Sequence, residues 1–220
     1  MTASAAQSEI SFPLKDFAFA QQLHESAREF LPEIAGIIKK HGLEDEVAIR
    51  LLHTHFPLER GDALVHRRFG DVFETRPGRA GEGAVGCTFT PSQAGSGGLD
   101  IIEYVEDAQG GDPAGRMLAR QAFIDEATAA LGRNGMNTLY GLGARFYRDA
   151  LDAGDNLILV ERNDIDGRRS ETRAMDRSVL DGETWTETAW RVVGDRLVAE
   201  GACITSGLMA CERPPPPPPA

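Results

Sequence analysis

Between residues 19 and 38 apolar side chains recur every three or four positions, at Phe19, Leu23, Ala27, Phe30, Leu31, Ile34, Ile37 and Ile38. That period puts them on one stripe of a helix. Pro32 has no amide hydrogen to give, so the segment should divide or kink there. Gly42 stops it, and Lys39, Lys40 and His41 in the last turn suit its carbonyl end. His24, flanked by polar residues, reads like His41 as a surface residue. A second stripe, Ala119, Phe123, Ala127, Ala130 and Leu131, predicts one further helix, opened by the cap pair Asp112-Pro113 and ended at Gly132 or Gly135.

Elsewhere the period falls to two. Over residues 47–56, Val47, Ile49, Leu51, His53 and His55 share one side of an extended strand, while Ala48, Arg50, Leu52, Thr54 and Phe56 share the other. Residues 69–74, 85–90, 99–105, 136–142, 156–162, 169–175, 186–193 and 196–204 are further strands, and Gly194-Asp195 fits a tight hairpin turn. Grouped helices and strands predict an α+β domain whose mainly antiparallel sheet curves into a barrel-like cone around a pocket. The domain spans residues 12–212, after a mobile lead at 1–11 and before a polyproline tail at 213–220.

The chemistry concentrates in His53-Thr-His55. Imidazoles two residues apart on a strand have bases about 6.5–7 Å apart, close enough to reach one metal ion. Pro57 and Gly61 predict a turn, with residues 63–69 returning as the partner strand. If Phe56 pairs with Ala63, His66 faces His53 across the ladder, and three histidines converge. The expected site is therefore one divalent transition metal, Fe, Zn or Cu, on His53, His55 and His66. Glu59, in the turn, serves as a further ligand or as a proton acceptor beside metal-bound water. Glu74, Glu103 and Glu171 are the other carboxylates available as a third ligand.

His53, His55 and Glu59 in the order His-x-His-x-x-x-Glu resemble, over seven residues, the first metal motif of the cupin barrels. Val47 stands where that motif has glycine, and no histidine follows His66, so no family is assigned.

Composition narrows the partners. A net charge of −11 with arginines interleaved among acids opposes binding to nucleic acid or anionic membranes. No basic-then-apolar leader or apolar run of about 18 residues is present, which predicts a cytoplasmic protein. Cys87, Cys203 and Cys211 are too few and too irregular for a disulfide framework and read as buried thiols. Gly81-x-Gly-x-x-Gly86 matches a dinucleotide-binding string but precedes a strand rather than the helix it needs. Residues 163–167 resemble part of a calcium loop but lack its first ligand and its closing glutamate. The reading is a metal-dependent enzyme acting on a small-molecule substrate. Its alternatives are a non-catalytic ligand-binding module, in which the histidines are polar anchors, and a structural or partner-binding domain; oligomeric state is not readable from the sequence.

Overall fold

A computed structural model describes residues 14–92, 98–106, 114–133, 135–152, 154 and 156–205. The expected lead, the polyproline tail, Asp112-Pro113 and Cys211 lie outside the described residues.

The first helical stripe forms α1 (Phe17–Ala27) and α2 (Leu31–Lys40), separated by a 3₁₀ turn, with Pro32 in the first turn of α2, where its missing amide costs nothing. Gly42, at φ +64°, closes the helix as expected. Asp16 caps α1, accepting a hydrogen bond from the Phe19 amide at 3.0 Å. The second stripe forms α4 (Gln121–Arg133), preceded by the single turn α3 (Gly115–Leu118); another turn, α5 (Arg148–Leu151), follows later.

The strands are β1 (Val47–Leu51), β2 (Ala63–Phe69), β3 (Val72–Gly78), β4 (Val85–Pro91), β5 (Leu99–Val105), β6 (Tyr140–Ala144), β7 (Leu157–Asp164), β8 (Arg169–Asp176), β9 (Trp185–Val193) and β10 (Arg196–Ile204). They close into one barrel in the order β1-β6-β4-β5-β2-β3-β8-β7-β10-β9. The expected barrel-like curvature is therefore complete closure, which leaves no open sheet edge among the described residues. Two joins, β2 with β5 and β7 with β10, are parallel, and the rest are antiparallel.

Two expectations about pairing require correction. β1 ends at Leu51, before the histidines, and pairs with β6 and β9 instead of forming a hairpin with β2. β2 pairs with β3 and β5, so His66 lies opposite Thr75 and not opposite His53. Segment 69–74 is also not one strand, because Gly70, at φ +66°, turns the chain between β2 and β3.

The two faces of the barrel differ in chemistry. Outside, Val47, Ile49, Leu51, Leu142, Trp190 and Val192 share an apolar core with the helices. α2 packs on α4, β1, β9 and β10, and α4 packs on β4. Inside, a cavity of about 60 Å³ is lined by every strand except β6 and is rich in polar groups. β6 turns Gly141 and Gly143 toward it; a Cβ on Gly143 would stand 2.4 Å from Arg50 Nε, and one on Gly141 would stand 2.7 Å from Leu52 Cδ2. Arg50 on β1 and Leu52 just after it occupy the space that β6 leaves.

Candidate metal centre in the barrel

His53 and His55 follow β1 on a short irregular stretch tied to the chain before α1. The Thr54 amide donates to Lys15 O at 2.9 Å, and the Phe17 amide donates to Thr54 O at 3.0 Å. This single bridge keeps the alternation of side chains beyond the end of the strand, so both imidazoles stay on one side of Thr54. Phe17 lies over them, with ring centroids 5.0 Å from His53 and 4.8 Å from His55. The two imidazole centroids are 4.9 Å apart, and the Nε2 atoms approach to 3.2 Å.

The third donor is Glu161 on β7, with carboxylate oxygens 3.5 Å from His55 Nε2 and 3.9 Å from His53 Nε2. One donor atom from each of the three residues lies within 4.8 Å of the other two. His53 Nδ1 lies 2.9 Å from Leu51 O; a carbonyl only accepts, so Nδ1 carries a hydrogen and Nε2 is the nitrogen turned toward His55 and Glu161. Burial pushes the His55 pKa down to about 4, outweighing the attraction of Glu161, so this ring is neutral at neutral pH. Cys203 Sγ lies 3.4 Å from His55 Nε2 and accepts from Asn163 Nδ2 at 3.2 Å; burial pushes this thiol up, keeping it protonated.

His66 belongs to a second cluster lining the same cavity. It is 6% exposed, with Nδ1 2.7 Å from Thr75 Oγ1 and 3.1 Å from the Tyr147 hydroxyl. Its Nε2 lies 3.3 Å from Glu103 Oε2, near enough for charge contact but out of line for a hydrogen bond. Glu103 also accepts from Thr88 Oγ1 at 2.5 Å. Burial alone would raise the Glu103 pKa, but His66, Arg50 and Thr88 outweigh it and hold the carboxyl at about 2. Arg50 lines the same cavity, its guanidinium 5.6 Å from the Tyr147 ring centroid.

The expected ligand set is thus divided. His53 and His55 come together as read, and His66 stands in the second cluster because β2 is carried to β3 and β5. Glu59 does not line the cavity. Its side chain is 78% exposed and lies 3.5 Å from Arg168, since the turn that carries it projects from the barrel. Glu74 and Glu171 are paired with arginines Arg76, Arg169 and Arg173 away from the cavity. Of the carboxylates considered, Glu103 reaches the interior, and Glu161 was missed. Its signal is faint: an acid in phase with Leu157 and Leu159 along a strand that is apolar on both faces.

His24 also differs from expectation. It is buried between helix and barrel, with Nδ1 2.7 Å from the Tyr140 hydroxyl and its ring stacked on Trp190 at 4.9 Å. His41 does sit at the end of its helix, 2.9 Å from Glu126. Gly81-x-Gly-x-x-Gly86 leads into β4, and residues 165–168 turn between β7 and β8. Among the described residues no helix is long and apolar enough to cross a membrane. No family model, curated protein or solved structure matches the chain.

Proposed function

We propose that this barrel is a metal-dependent enzyme acting on a small molecule, with one divalent transition metal held by His53, His55 and Glu161. The observation that carries this reading is the convergence of the three donors, with His53 Nε2 fixed toward the others by the Leu51 carbonyl's hold on Nδ1. Two imidazoles and one carboxylate form the donor set used for Fe(II), with sites left for dioxygen and substrate, and for Zn(II) that activates water. Orientation of an imidazole through its second nitrogen is how metal-bound histidines are commonly positioned.

A cavity this small, with Arg50, Glu103, Glu161 and the histidines on its wall, gives little support to the alternative of an apolar-ligand carrier, which would need a larger apolar enclosure. Metal analysis of protein purified without a polyhistidine tag, followed by Zn(II) and Fe(II) titration, tests the reading. Near one ion per chain is expected, lost in the His53→Ala/His55→Ala double variant and weakened by at least about tenfold in Glu161→Gln. Failure of either metal to bind stoichiometrically to a folded chain overturns it.

A further inference from the structure

Arg50 is the charged residue of β1, and it points into a closed barrel. Among the described residues its Nε and Nη2 are fully buried and have no hydrogen-bond partner, and the same holds for Nε2 of His66 across the cavity. The obvious counter-ion does not answer them. Glu103 spends its hydrogen bonding on Thr88 and stands against His66, so it balances the charge of Arg50 without occupying its N–H groups. Leaving such groups unanswered is costly, about 1–3 kcal/mol each and more where charge is involved. β6 places glycine where Arg50 crosses it, so the guanidinium stem is accommodated rather than extruded.

Resting on the metal reading above, we infer that Arg50 anchors the carboxylate of a small organic acid substrate, with Tyr147 and His66 beside it and the metal centre at the same cavity. A guanidinium offers two parallel N–H groups in the plane of a carboxylate, a match that a point-charged lysine does not provide. A second metal on His66, Cys87 and Glu103, whose donor atoms also lie within 4.8 Å of one another, is disfavoured by the Arg50 cation beside them.

Thermal-shift titration of the full chain, metal-free and zinc-loaded, with acetate, acetamide and inorganic phosphate at matched ionic strength tests this assignment. Acetate is expected to raise the Tm in both states, acetamide in neither, and phosphate less than acetate. In Arg50→Lys the acetate midpoint should move to at least about tenfold higher concentration. Acetate acting no better than acetamide, acetate acting only when zinc is bound, or phosphate outperforming it overturns the anchor. These comparisons on the unaltered chain decide the matter even if Arg50→Lys fails to fold. Absence of stoichiometric zinc together with a selective acetate effect removes the metal reading and leaves the anchor standing, so the two failures are distinguishable.

Discussion

Replacing Gly143 by alanine tests the interior of the barrel most directly. The new Cβ would stand 2.4, 2.7 and 2.9 Å from Nε, Cγ and Cδ of Arg50. These are atoms of the middle of a buried side chain, not a free end, so the stem cannot simply swing aside. Overpacking of this kind costs about 1–3 kcal/mol. Against it stands the gain of about 0.4–1 kcal/mol from a less flexible unfolded chain. The cost wins, leaving a net loss of about 0.5–2 kcal/mol, or about 1–8 °C in Tm for a domain of this size. Gly36 is the control: it lies exposed in α2, and a Cβ there meets nothing within 4 Å. Gly36→Ala carries only the gain, so thermal denaturation of the two variants should move in opposite directions. Equal stabilisation by both would refute the placement of Arg50 over β6.

Other consequences are as direct. Glu200→Gln leaves the buried Arg145 cation without its 2.9 Å partner and should cost about 3–5 kcal/mol by urea denaturation, whereas Asp195→Asn, which breaks the exposed pair with Lys39, should leave the urea midpoint essentially where it is. Glu103 has its folded pKa held below the ordinary 4.5, so its contribution is complete above that pH and is lost as pH falls toward about 2. The loss is on the order of 3 kcal/mol at most, and it should be missing from the acid limb of the stability profile of Glu103→Gln. Burial raises both the Cys87 and Cys203 thiols, so mass spectrometry after brief treatment with a thiol reagent should find them unmodified in the folded chain and modified in denaturant.

Much of the fold was legible because it is local. Periods of three to four and of two located both helical stripes and nearly all the strands, and residues 99–105 and 196–204 match β5 and β10 to the residue. Pairing was not legible, because it depends on which distant segments meet. A turn at Pro57 and Gly61 makes a β1–β2 hairpin locally reasonable, yet β1 finds β6 and β9, and that choice alone separates His66 from His53. Register also explains why Glu161 escaped notice: β7 is apolar on both faces, so alternation gave no sign that its acid turns inward. Arg50 carried a signal that could have been used. A lone cation in Val-Ala-Ile-Arg-Leu-Leu must meet an anion if that strand is buried on both sides. His24 misled because its neighbours in sequence are polar while its neighbours in space, Tyr140 and Trp190, come from β6 and β9.

Barrel closure has a consequence for synthesis. β9 is the strand that seals β1, and β10 is the one that joins β9 to β7, so the last two strands supply the final seam. A growing polypeptide lacking them holds two unsatisfied ladders, one on β1 and one on β7, each able to recruit a neighbouring nascent chain. The ring must therefore wait for its C-terminal hairpin before it can shut, and fragments ending ahead of Trp185 should aggregate rather than fold.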